Sequence, residues 1–153
     1  MTHPEQRLAE LGLSLPEVVP PVATYVPAVR SGVHVHVSGQ VPLLAGRLMA
    51  TGRLGDTVDL EQGYACARQC ALNSLAALKA EIGDLSAVVR VVKALVFVSS
   101  TPAFTRQPQV GDGASDLFRA VFGDAGLHAR SAVGVSALPL NAPVELEAVF
   151  EVG

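Results

Sequence analysis

The chain has 153 residues, of which 50% are hydrophobic, 16% charged and 5% aromatic, with no tryptophan and a formal charge of −3. That length fits one domain with a real core, and the composition excludes a disordered chain. The acidic balance, with an isoelectric point near 5.7, and the scarcity of stacking rings argue against a nucleic-acid binder. No apolar run reaches the ~18 residues of a membrane helix. The best one, "VVRVVKALVFV", is broken by Arg90 and Lys93. The first residues carry no apolar core of signal-peptide type, so a cytoplasmic location is expected. A mean hydropathy of +0.40 is high for a soluble monomer, which predicts that another subunit covers part of the apolar surface.

In chain order, "HPEQRLAELGL" spaces Leu8 and Leu11 as a short amphipathic helix ending at Gly12. Pro16, Pro20 and Pro21 then force an extended passage, so residues 1–21 read as an N-terminal flap on a domain spanning 22–153. Thr24 to Arg30 and Val33 to Ser38 form a hairpin around "RSG". Val33, Val35 and Val37 share one face of it and His34 and His36 the other. With no third ligand nearby, the two histidines are strand residues and not a metal site. Residues 43–55, with glycines at 46, 52 and 55, form a loop with a short hairpin.

A long helix follows, capped by Asp56 or Thr57 and favoured at its start by Asp59 and Glu61. Leu60, Tyr64, Ala67, Ala71, Leu75, Leu78 and Ile82 make its apolar stripe, and Gly83 ends it. Cys66 and Cys70 lie one turn apart on it. A zinc site needs about four ligands and no second Cys/His pair is suitably spaced, so they are packed helix residues and no metal is expected. "AVVRVVKALVFVSS" is a central strand, and "TPAFTRQPQVGDGAS", punctuated by Pro102, Pro108, Gly111 and Gly113, is a loop with room for one helical turn. The second helix then runs from a Ser115 or Asp116 cap to Gly123. Two last strands, "RSAVGVSAL" and "VELEAVFEV", are joined by "PLNAP"; a hairpin there would pair residue 130 near 151 and 145 near 136. The order is β-β-α-β-α-β-β, an α/β (α+β) domain with two helices on one face of a mixed sheet.

No Gly-rich phosphate loop, serine-hydrolase elbow or zinc-protease spacing is present. Polar groups at strand ends remain. Arg130 has a guanidinium fork suited to a carboxylate, although a strand-end arginine is ordinarily just solvated. Glu145 and Glu147 share a strand face, with Glu151 further along. They form either a solvated face or, held near an arginine, a group that orients or deprotonates water. Parity neither chooses between Glu145 and Glu147 nor sets either opposite Arg130, so a shared site would need a long reach or an intersubunit cleft. His128 is a loop histidine without an assigned role.

In this order and spacing, "YVPAVRSGVHVHVSGQVP", "VVRVVKALVFV", "ARSAVGVSALP" and "VELEAVF" resemble the Rid/YjgF family, once labelled L-PSP endoribonucleases, over about residues 22 to 150. The resemblance implies a chorismate-mutase-like fold: a mixed six-stranded sheet with two helices on one face, assembled as a homotrimer with a ligand cleft at each subunit interface. Enzymes of that family hydrolyse reactive enamines or imines, such as 2-aminoacrylate and 2-iminopropionate, to 2-keto acids and ammonia, and use no cofactor. Carried over, Arg130 binds the substrate carboxylate and Glu145 positions or activates the water. Tyr25 walls the cleft, Ser38, Gly39 and Gln40 line it, and Ser131 and the backbone of Ala132 adjoin the arginine.

Three departures from the family pattern stand out. Ala132 occupies a position where cysteine is common, and the loop after "LVFVSS" is longer than usual. The asparagine usual at the start of the second helix is replaced, nearest to Ser115, with Asp112 or Asp116 as substitutes near the cleft. The resemblance therefore implies an imine deaminase. The alternative is a non-catalytic protein of the same fold that binds a small carboxylate or a partner. Ribonuclease activity is disfavoured by the acidic charge.

Overall fold

The computed structural model describes residues 3–18, 20–21 and 23–153; Met1, Thr2, Val19 and Val22, and with Val22 the expected domain boundary, lie outside the described residues. Helix α1 (Pro4–Glu10) opens the chain with proline in its first turn, where no N–H partner is needed, and His3 Nδ1 caps it by accepting from the Glu5 amide at 3.1 Å. Leu8 is its buried residue. Strands β1 (Ala28–Ser31) and β2 (His34–Gln40) form the expected hairpin, turning at Gly32, whose φ of +63° suits a residue without Cβ. Val35 and Val37 point into the core while His34 and His36 stay exposed.

Helix α2 (Leu60–Ile82) is the longest element. Its cap is Asp59, three residues beyond Asp56: Asp59 Oδ1 accepts from the Gln62 amide at 2.8 Å, and Gln62 Oε1 accepts from the Asp59 amide at 2.9 Å. This reciprocal box satisfies two orphan donors, which neither Asp56 nor Thr57 does. Cys66, Ala67, Cys70, Ala71, Leu75 and Leu78 are buried, whereas Tyr64, expected in the stripe, is exposed. Burial pushes the Cys66 thiol up to about 11 and Cys70 well above its ordinary value, so both are packing residues.

The largest departure from expectation is helix α3 (Gln107–Phe122), which begins eight residues before the Ser115 that was expected to cap it. Pro108 sits in its first turn, and its glycines mark close packing instead of a loop. A Cβ on Gly113 would collide with the carbonyl oxygen of Tyr64, and one on Gly111 would lie 3.3 Å from Arg130 Nη1. Ser115 and Asp116 are thus mid-helix residues.

The sheet order is β1-β2-β7-β5-β6, with β5 (Val88–Ser99), β6 (Ala129–Val135) and β7 (Val144–Val152). It has five strands, not six; β3 (Leu43–Leu44) and β4 (Arg47–Leu48) form a separate ribbon, closed after two residues by positive φ at Ala45 and Gly46. The β6–β7 hairpin expected across "PLNAP" is not formed either. Strand β6 runs parallel to β5, and β7 lies antiparallel on the other side of β5. The connection crosses the end of β5, bending at Leu140 and Asn141, both at φ 60°, while the Ser99 amide bonds the Pro143 carbonyl. Helices α2 and α3 cover one sheet face. Val96, Val98, Val144, Leu146 and Phe150 form the core beneath them at 0% exposure.

Candidate functional site

Paired residues on neighbouring strands share a sheet face, so register assigns the sides. Ala94, Val96 and Val98 face the helices, which puts their β6 partners Arg130, Ala132 and Gly134 on that side. Leu95 and Phe97 face away. Their β7 partners Glu147 and Glu145, and Ser131 and Val133 on β6, therefore stand on the bare face. One chain places Arg130 and Glu145 on opposite faces, with β5 between them, and does not bring them together.

Arg130 lies at the foot of β6 and reaches under α3. Its Nη1 donates to Asp112 Oδ1 at 2.9 Å and to Ser115 Oγ at 3.1 Å, and its Nη2 donates to the Pro108 carbonyl at 3.2 Å. The lack of a side chain at Gly111 lets the guanidinium in. Of its five N–H groups, Nε–H and one on Nη2 have no partner among the described residues. The side chain is 21% exposed, so a small anion can reach it. Of the replacements expected for the asparagine, Ser115 and Asp112 meet the arginine. Asp116 instead accepts from Tyr64 Oη at 2.7 Å, which raises the Tyr64 pKa.

His128, left without a role by the sequence, belongs to the same cluster. Its Nε2 is 2.9 Å from Ser115 Oγ and its Nδ1 is 2.7 Å from the Gly126 carbonyl. The available signal was its i, i+2 spacing to Arg130, which places both on one side of an extended segment.

Glu145 has a different setting. It is half-buried, and burial followed by repulsion from Glu147 raises its pKa above the ordinary carboxylate value. Gly39 stands beside it at the β2 bulge: a Cβ there would lie 2.6 Å from Glu145 Oε2. Ser38 Oγ donates to the Val26 carbonyl at 2.7 Å, and Gln40 Nε2 donates to the Ser38 carbonyl at 3.2 Å, so both polar side chains brace the local backbone. Tyr25 is 55% exposed just before β1. A concavity of about 260 Å³ on the bare face is lined by His36, Lys93, Leu95 and Glu147, and another of about 520 Å³ by His34, Arg90, His128 and Glu151. Neither includes Arg130 or Glu145.

A sheet of this order with two helices on one face, and an arginine held at its edge, is the setting in which the comparisons with known proteins fall. Residues 5–151 match the family model described as "YjgF/chorismate_mutase-like, putative endoribonuclease". The chain belongs to this YjgF/chorismate-mutase-like family. It is 48% identical over 145 residues to Protein TCP17 of Trypanosoma cruzi, covering 94% of this chain and 91% of that protein. It is 31% identical over 138 residues to a 2-iminobutanoate/2-iminopropanoate deaminase of Dermatophagoides farinae, covering 90% and 92%. The crystal structure of Atu1372 from Agrobacterium tumefaciens superposes with a TM-score of 0.92 at 45% identity, covering 98% of this chain and 93% of that one. Among the described residues, no helix is long and apolar enough to cross a membrane.

Proposed function

We propose that this protein binds small 2-imino acids through Arg130 and hydrolyses them to 2-keto acids and ammonia. The observation that carries the reading is the Arg130 guanidinium, held by Asp112, Ser115 and the Pro108 carbonyl, with two further N–H groups left for a carboxylate. The similarity to the Dermatophagoides farinae deaminase supports the reaction class.

The chemistry is undemanding. The imine carbon is electrophilic; water adds to it while a base takes one of its protons and the nitrogen gains one, giving a carbinolamine. The amino group is then protonated, and as the C–N bond breaks the hydroxyl gives up its proton, leaving the keto acid and ammonia. An enamine first takes a proton at its terminal carbon to become the imine. Glu145, with its raised pKa, suits a group that accepts a proton from water and returns it to nitrogen. Capture of the carboxylate by the arginine holds the imine in the site for that step.

Because Arg130 and Glu145 occupy opposite faces of one sheet, the reading places the reacting centre between subunits of a homotrimer. The exposed valines of the bare face, Val29 at 52% and Val133 at 42%, and the chain's high hydropathy support burial against another copy. Tyr25, Ser38, Gly39 and Gln40 then line the glutamate's side of the cleft, and Ala132 and the backbone of Ser131, whose side chain stands on the bare face, adjoin the arginine. The deciding assay generates 2-iminopropionate in situ and follows ammonia release. The wild type is expected to exceed the spontaneous rate and Arg130→Ala to abolish the excess. Equal rates with and without protein would overturn the deaminase. If pyruvate then still raised the melting temperature, a carboxylate-binding protein without turnover would stand in its place.

A further inference from the structure

We infer that His128 is a positioning residue for Arg130, acting through the hydroxyl of Ser115. The inference rests on the reading that Arg130 receives the ligand carboxylate, but its geometry stands separately. The Gly126 carbonyl can only accept, so His128 Nδ1, 2.7 Å away, carries the proton. In the neutral ring Nε2 is then an acceptor, and Ser115 Oγ, 2.9 Å away, donates to it. With its proton committed, the serine oxygen turns lone pairs towards Arg130 Nη1 at 3.1 Å. The polarity runs one way along the row: arginine to serine, serine to histidine, histidine to backbone.

The far end of this row is tied to the core. The His128 ring packs edge-on against Phe118, with centroids 5.6 Å apart and an angle of 88°, and Phe118 packs edge-on against Phe150 at 5.7 Å. Both phenylalanines are at 0% exposure. These contacts hold the imidazole from one side, and its two hydrogen bonds fix which way the serine hydroxyl points. Without it, Ser115 in mid-helix is free to turn its proton back to the Gly111 carbonyl, four residues earlier. Arg130 Nη1 would then rely on Asp112, whose side chain is 51% exposed and less firmly held. The guanidinium would keep its charge but lose its fixed plane, and the affinity for a bidentate ligand depends on that plane.

The test uses His128→Phe, which keeps a ring against Phe118 and removes both nitrogens, together with Ser115→Ala and the double variant. In protein labelled with ¹⁵N and ¹³C at arginine, exchange of the Arg130 Nη groups by rotation about Cζ is expected to be about 10-fold faster in each single variant, with no further gain in the double, as for residues acting as one unit. In the imine assay each single variant is expected to raise KM about 5-fold and leave kcat within about 2-fold, the pattern of lost ground-state positioning. Unchanged Nη exchange in His128→Phe, additive effects in the double variant, or a fall in kcat at constant KM would each overturn the inference. A wild type that neither turns over the imine nor binds pyruvate would sink the proposed function, and the Nη exchange would still decide the role of His128.

Discussion

Arg130 reaches into the helix layer and meets three groups of α3, whereas Glu145 stands on the bare face of the same sheet with a second carboxylate beside it. The first setting is complete within one chain: the charge is paired, three N–H groups are satisfied, and a glycine makes room. The second is not, because a half-buried carboxylate repelled by another carboxylate is held at a cost. The contrast teaches where one chain's site ends. Under the function proposed above, the folded subunit completes the anion anchor and leaves the acid–base side open.

The sharpest way to break this comparison is at the anchor. Arg130→Lys keeps the charge but replaces a planar fork by a point charge that cannot hold Asp112, Ser115 and Pro108 together. Its kcat/KM for 2-iminopropionate is expected to fall about 100-fold, nearly as far as in Arg130→Ala. A lysine variant with near wild-type kinetics would show that charge alone serves and that the cradle is incidental.

Two glycines carry the comparison further. At Gly113 the obstacle to a Cβ is the Tyr64 backbone, so Gly113→Ala must part α2 from α3, and its melting temperature is expected to fall by about 5 °C or more. At Gly39 the obstacle is the end of a flexible side chain, Glu145 Oε2 at 2.6 Å, which can move aside. Gly39→Ala is therefore expected to melt within about 2 °C of the wild type while kcat falls about 10-fold, since displacing a catalytic group costs rate rather than stability. Loss of stability at Gly39 with unaltered kcat would remove Glu145 from the reaction.

These positions also show what was legible in the sequence. The hydrophobic periods gave β2, α2 and β5, because each buries a continuous stripe whose spacing is written in the chain. The start of α3 was hidden because Gly111 and Gly113 look like loop punctuation. Their reason for being glycine is a neighbour distant in sequence, Tyr64 at 49 residues from Gly113 and Arg130 at 19 from Gly111, and only the fold supplies that. The false β6–β7 hairpin has the same origin: "PLNAP" contains turn residues, and local chemistry does not reveal that the turn bridges a whole strand. The family resemblance singled out Arg130, Ser115 and Glu145. It passed over His128, whose contribution is a hydrogen-bond direction and not a motif.

A smaller effect separates the paired cation from the carboxylate that partners it. Asp112→Asn keeps an oxygen for Arg130 Nη1 but removes a negative charge 2.9 Å away that competes with an incoming carboxylate. Because Asp112 is half exposed, screening limits the gain, and pyruvate is expected to bind about 2–5-fold more tightly. Weaker binding would mean that the aspartate holds the arginine in place more than it competes.

The smallest change tests the open side of the comparison. Burial and Glu147 raise the Glu145 pKa, so the folded chain holds that proton more tightly than the unfolded one. The associated stability is fully present below the unfolded value of about 4.3 and is lost as pH rises through the raised folded value. Glu145→Gln never ionises, and it is therefore expected to melt about 1–3 °C above the wild type at pH 7, with the gap closing towards pH 4. A gap that persists at pH 4 would trace the gain to packing and not to charge. A variant that melts lower at pH 7 would be more telling, for it would mean that a cation from another subunit pairs with Glu145 in the assembled protein, completing the side that one chain leaves open.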